Sequence, residues 1–248
     1  MSAADTPRHR LYLDARLTAG ETLPLEREQA NYLLNVLRMR EGDAVAVFNG
    51  REGEWSAEIV PIGRKQAALF LRQQLRPQPP RPDLVYLFAP LKHARLDYMA
   101  QKAVEMGAGV LQPVITRRTQ ISRLKLDRLQ ANAVEAAEQC GILSLPQIRA
   151  EQPLEAALSA LEPERLLVFC DEEAEAASPL SALSARKTAP LAVLIGPEGG
   201  FDPVERVVIA ARPNTLPISL GPRILRADTA AVAALAIIQA TLGDWQGR

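Results

Sequence analysis

Cysteine and aromatic residues are scarce in this chain of 248 residues, and no apolar run is long. Cys140 and Cys170, the two cysteines, stand thirty residues apart, which excludes a disulfide framework and gives no metal-ligand spacing. Reduced thiols of a cytoplasmic protein are the expectation, and no metal is expected. Aromatic side chains make up 4%, too few for a broad platform on which unpaired bases would stack. The first thirty residues carry Asp5, Arg8, Arg10, Asp14, Arg16, Glu21 and Glu26 with no apolar core between them, so no export signal is expected. Residues 230–238 form the longest apolar stretch, about half of what a bilayer-spanning helix needs. It belongs in a core or between subunits, and no membrane partner is expected. Net charge is also lacking, at zero, but the charges are unevenly placed. Residues 1–82 hold 12 basic and 10 acidic side chains, residues 83–150 hold 9 and 6, and residues 151–248 hold 8 and 13. A basic front joined to an acidic rear permits nucleic-acid binding at the front.

Hydrophobic residues at 48% and charged residues at 23% describe an ordinary globular protein, long enough for two domains. Arg76-Pro-Gln-Pro-Pro-Arg-Pro82 reads as an extended connector and places a domain boundary there. Before it, Ala44-Val-Ala-Val-Phe48, Glu54-Trp-Ser-Ala-Glu-Ile-Val60 and Gln66-Ala-Ala-Leu-Phe-Leu71 read as strands, with one helix over residues 26–37. The expectation is a small β-rich barrel over residues 1–75. Beyond it, apolar strands such as Leu84-Val-Tyr-Leu-Phe88, Leu166-Leu-Val-Phe169 and Leu191-Ala-Val-Leu-Ile195 alternate with helices over 93–106 and 124–139, which predicts a parallel α/β domain over residues 83–248.

Two loops of that second domain invite a ligand. In Gly196-Pro-Glu-Gly-Gly200 the glycines lie between a strand and the capping box Asp202-Pro-Val-Glu205, where bare backbone can approach a bound molecule. Leu220-Gly-Pro-Arg-Ile-Leu-Arg226 follows the short strand Pro217-Ile-Ser-Leu220 and precedes a helix starting near Asp228 or Thr229. Taken singly, each loop is an ordinary tight turn. Two at adjacent strand ends can close one pocket. Neither matches a dinucleotide or P-loop fingerprint.

The segments LIGPEGGF, SLGPRILRADTA, QKAVEMG and EAAEQCG, with Arg10-Leu-Tyr12 and Val36-Leu-Arg-Met-Arg-Glu-Gly-Asp43 ahead of them, span nearly the whole chain. In this order they resemble the RsmE family of bacterial small-subunit ribosomal RNA uridine-N3 methyltransferases, within the SPOUT superfamily. The resemblance implies a PUA-like RNA-binding barrel followed by an α/β domain with a trefoil knot, S-adenosylmethionine as cofactor, 16S ribosomal RNA as substrate, and a homodimer joined through residues 229–242. Carried over by position, Ile195, Gly196, Gly200, Leu220, Gly221, Ile224 and Leu225 contact the cofactor. The chain departs from the family pattern at Ala227 and Asp228, at Ile142, at Arg117 and across Lys92-His-Ala-Arg95.

Uridine N3 is mostly protonated at neutral pH, so the chemistry needs a proton acceptor or a cation that stabilises charge on the uracil oxygens. Arg226, at the mouth of the second loop, is the candidate cation; a phosphate clamp or a salt bridge to Asp228 is its alternative role. The acceptor stays open between Asp228, Glu198, His93 and none of them, with helix capping the stronger role for Asp228. RNA contacts are expected from Arg8, Arg10, Arg38 and Arg40 in the first domain and from Lys92, Arg95, Arg118 and Arg123 in the second. Ribose 2′-O-methylation and non-catalytic ribosome assembly are the competing functions.

Overall fold

A computed structural model describes residues 7–63, 66–92, 94–120, 124–174, 178–186 and 190–247. The chain divides into two compact units, residues 1–80 with 137–144, and residues 81–136 with 145–248.

In the first unit, β1 (Arg10–Tyr12), β2 (Thr22–Pro24), β3 (Ala44–Phe48), β4 (Glu54–Gly63) and β5 (Gln66–Arg76) form one sheet in the order β1-β3-β4-β5-β2. Only β1 and β3 run parallel. Alternate side chains of β3, β4 and β5, including Val45, Val47, Ala57, Ile59, Leu69 and Leu71, close a core with Leu11 and Leu33, as the two-residue period of strands requires. The helix expected over residues 26–37 changes pitch midway. It begins as α1 (Arg27–Asn31), with Glu26 and Gln29 forming a capping box, then widens into a π-turn over Tyr32–Val36. The wider turn leaves Arg38 in the left-handed region at φ 55°. The strand β5 runs five residues past the expected end, and the proline-rich stretch after it is held in place. Gln78 donates to Ser144 Oγ at 3.1 Å and accepts from the Gly53 amide at 3.1 Å.

In the second unit, β6 (Leu84–Phe88), β7 (Val110–Ile115), β8 (Gln147–Ile148), β10 (Leu166–Cys170), β11 (Leu191–Ile195) and β12 (Thr215–Ile218) form a sheet in the order β12-β10-β11-β6-β7-β8, with β9 (Gln152–Pro153) paired to β7. All of these pairings are parallel. A parallel sheet is covered on both faces, and residue alternation shows how. Leu84, Tyr86 and Phe88 of β6 with Leu191, Val193 and Ile195 of β11 face α2 (Ala94–Glu105), α3 (Leu126–Cys140), α5 (Pro179–Ser184) and α7 (Ala227–Thr241). Val85, Leu87, Ala192 and Leu194 face α4 (Leu154–Ser159) and α6 (Pro203–Ala211). Gly107 and Gly141, at φ 79° and 70°, follow α2 and α3 as left-handed caps. The last helix begins one residue earlier than Asp228, with Arg226 as its extended N-cap. Asp228 therefore sits in the first turn, where its carboxylate accepts from the Thr229 amide at 3.0 Å, rather than capping the helix.

Candidate cofactor site and the placement of the predicted residues

β10, β11 and β12 are parallel and adjacent, with β10 in the middle, so the loops after all three emerge at one end of the sheet. There they close a cavity of about 280 Å³, at the small end of ligand sites. Ile195, Gly196, Gly200, Leu220, Gly221, Ile224 and Leu225 all line it. The loop after β10, with Cys170, Asp171, Glu172 and Ala174, supplies a third wall that sequence reasoning missed. Its two acidic residues carry no glycine signature, and only strand order brings them here.

The first loop turns tightly, with the Gly200 amide donating to the Pro197 carbonyl at 2.9 Å. A Cβ on Gly196 would meet the Phe201 ring at 2.7 Å, and one on Gly200, at φ 67°, would lie 2.7 Å from Glu172 Oε1. Phe201 is in turn fixed edge-on against Phe169 at 5.3 Å. Gly221 differs: no atom lies within 4 Å of its added Cβ, and its φ of 109° is what demands glycine. Downstream, the predicted capping box forms. Asp202 Oδ1 accepts from the Val204 amide at 3.0 Å, and Glu205 Oε2 accepts from the Asp202 amide at 3.0 Å. Buried Glu205 also accepts the Arg117 amide at 2.7 Å, and the Arg117 guanidinium reaches Asp202 at 3.3 Å. Arg117 thus braces the loop's exit.

Burial favours the neutral form of two polar groups, Cys170 in the cavity wall and Tyr86 in the core. Burial, reinforced by Asp171, pushes the Cys170 thiol up to about 12. Tyr86 is wholly buried and its hydroxyl has no hydrogen-bond partner among the described residues; burial holds it well above the ordinary phenol value, with Cys170 and Asp228 adding to the effect. Among the described residues no cluster of metal-ligating side chains occurs.

The predicted basic residues fall into distinct settings. Arg118 donates to the Gly199 carbonyl at 2.7 Å and Arg95 lies 3.6 Å from Glu198, so both meet the first loop. Lys92 is exposed, as is Arg226 immediately before α7. Arg8, Arg38 and Arg40 are exposed on the first unit. Arg10 is different. Its side chain is only 14% exposed, pairs with Glu54 at 2.7 Å and lies over the Phe48 ring at 4.5 Å. It also donates to the carbonyls of Ala137, of Glu138 at 2.8 Å and of Ile142 at 3.1 Å. Arg123 and the acceptor candidate His93 lie outside the described residues.

An N-terminal sheet unit, a parallel α/β unit and a glycine-loop cavity at its strand ends define an RNA methyltransferase: the RNA methyltransferase domain family matches residues 77–239 and the RNA methyltransferase PUA domain family matches residues 25–71. Curated relatives named ribosomal RNA small subunit methyltransferase E, from Rickettsia conorii and from Synechocystis, are each 31% identical, covering 93% and 94% of this chain and 95% and 78% of their own. The chain belongs to the ribosomal RNA small subunit methyltransferase E family. Its fold is that of solved relatives, including the Neisseria gonorrhoeae methyltransferase E bound to S-adenosyl methionine, with a TM-score of 0.83 at 27% identity over 96% of this chain and 99% of that one. A Legionella pneumophila methyltransferase solved with bound SAM gives a TM-score of 0.82 at 29% identity, covering 95% and 98%.

Proposed function

We propose that this protein transfers a methyl group from S-adenosylmethionine to N3 of one uridine in 16S ribosomal RNA. The observation that carries the proposal is the single cavity closed by both glycine loops, in a chain whose solved relatives hold that cofactor. The residues fit the group: Gly196 and Gly200 stand where an added Cβ would collide with Phe201 or Glu172, and with Gly221 they bring bare backbone to the cavity wall, where an adenine edge or an amino-acid tail can approach it. Ile195, Gly196, Gly200, Leu220, Gly221, Ile224 and Leu225 hold it. When bound, it supplies an electrophilic methyl on a sulfonium.

The chain's own contribution is positioning and charge. The three loops fix the donor's direction, and positioning of this kind accounts for a large part of such rate enhancements. Arg226 follows the lining residue Leu225 and makes no ion pair among the described residues, so its guanidinium is free to stabilise charge spreading onto the uracil oxygens. Arg8, Arg38 and Arg40 of the first unit, a PUA-like RNA-binding domain, neutralise phosphates, as do Lys92, Arg95 and Arg118 of the methyltransferase domain, together with Arg123 by position. Arg10 drops out of this set because its guanidinium is committed to Glu54 and three carbonyls. Val232, Ala233 and Ala236 give α7 a half-exposed apolar face beside its buried one, which supports a homodimer. No helix among the described residues is long and apolar enough to cross a membrane; the ribosomal RNA substrate named for its relatives supports action in the cytoplasm.

The test is mass spectrometry of nuclease fragments of small-subunit RNA from cells lacking the protein. One base methyl group disappears and returns with the wild-type gene. Unchanged spectra refute the proposal, and loss of an alkali-resistant linkage instead transfers the activity to a ribose 2′-hydroxyl.

A further inference from the structure

Five charged side chains line the cavity: Asp171, Glu172, Glu198, Arg206 and Arg223. Three are already engaged. Arg206 reaches Asp171 at 2.8 Å and also Glu173 at 3.0 Å, and Glu198 lies 3.6 Å from Arg95. Glu172 has no ion pair or hydrogen bond among the described residues. Its place is nevertheless well defined. The Asp171 amide donates to the Ile218 carbonyl at 2.9 Å, and Asp171 Oδ1 accepts from the Glu173 amide at 3.1 Å, which fixes the backbone on both sides of it. Its carboxylate lies over Gly200, in space that any side chain at that position would fill.

We propose that Glu172 reads the charge of the cofactor, favouring the sulfonium before methyl transfer over the neutral thioether after it, and so promotes exchange of spent product. The inference rests on the reading that this cavity holds S-adenosylmethionine. Transfer forms a carbon–nitrogen bond at uridine N3, breaks the carbon–sulfur bond and releases the N3 proton to solvent. The cofactor thereby loses one positive charge while its adenine, ribose and amino-acid tail stay the same. A free carboxylate beside it feels that loss, in an environment of lower dielectric than water. Because the cavity is open to solvent, screening limits the effect to at most about fivefold in affinity. A carboxylate that took hydrogen bonds from the ribose would hold both forms equally, since both carry the same ribose.

Calorimetry on the full chain with S-adenosylmethionine and with S-adenosylhomocysteine separates these roles. In Glu172→Gln the ratio of the two affinities falls by up to about fivefold against wild type, through weaker binding of the methylated form alone. Glu173→Gln removes the same charge one residue along, where the carboxylate turns to Arg206, and keeps the wild-type ratio. An unchanged ratio in Glu172→Gln, equal weakening of both ligands, or the same shift in Glu173→Gln overturns the proposal. A wild-type protein that binds neither ligand overturns the cofactor reading along with it. Thermal melting of Glu172→Gln, at an exposed position, matches wild type and separates a binding change from a folding one.

Discussion

Arg10→Ala distinguishes an arginine that contacts RNA from one that holds the first unit together. The Glu54 side chain is 4% exposed and receives Arg10 Nε at 2.7 Å, Arg76 Nε at 2.7 Å and the Arg76 Nη2 at 3.0 Å. Removing one partner of a buried ion pair costs about 3–5 kcal/mol. Arg76 remains to neutralise Glu54, which puts Arg10→Ala at the lower end, about 3 kcal/mol, even with the carbonyls of Ala137, Glu138 and Ile142 losing their donor. Arg76, 47% exposed, costs less when removed. In a Trp245→Phe background, Trp55 reports unfolding of the first unit, and 3 kcal/mol lowers its urea midpoint by about 2 M at an m-value of about 1.5 kcal/mol/M. Burial alone would raise the Glu54 carboxyl, but hydrogen bonds from Arg76 and Arg10 outweigh it and hold it below its ordinary 4.5. A depressed carboxyl stabilises the fold fully above its unfolded value, and that contribution is lost as pH falls below about 4.5 toward the folded value. Acid unfolding of the wild-type unit therefore sets in below that pH, and Arg10→Ala is less sensitive across the same window. Wild-type stability in Arg10→Ala, with RNA affinity lost, refutes this structural role.

Other consequences are as direct. Gly196→Ala drives Phe201 or the end of β11 aside, costing about 1–3 kcal/mol by overpacking and weakening S-adenosylmethionine binding at least tenfold by calorimetry. Gly221→Ala meets no atom within 4 Å but cannot keep φ 109° without strain, so it weakens binding with a smaller loss of melting temperature; equal melting losses in the two variants contradict the distinction. With its thiol pushed up to about 12, half-buried Cys170 stays protonated at mildly alkaline pH, so iodoacetamide labels exposed Cys140 alone, and a second adduct in the intact mass contradicts the raised value. Tyr86→Phe removes a buried hydroxyl with no partner among the described residues and leaves stability equal or higher by about 1 kcal/mol; a lower melting temperature shows that the hydroxyl has a partner in solution.

Sequence alone was enough for whatever depends on neighbouring residues. The alternation in Leu84-Val-Tyr-Leu-Phe88 and Leu191-Ala-Val-Leu-Ile195, the caps at Gly107 and Gly141, and the Asp202–Glu205 capping box are local in origin, and each lies where the pattern puts it. The paired glycine loops were legible for the same reason, since a strand, a glycine turn and a helix start are written in consecutive residues. Arg10 and Glu172 were not, because their roles depend on residues distant in sequence. Arg10 is basic and near the N-terminus, which reads as an RNA contact; its burial comes from Glu54 and from carbonyls well over a hundred residues away. Residues 137–144 pack with the first unit although they follow most of α3 in the second, a grouping that no linear boundary expresses. Glu172 enters the cofactor cavity because β10 lies between β11 and β12, an order set by sheet pairing. The two glycine loops needed only local backbone freedom, whereas the acid beside them needed the whole sheet to be assembled.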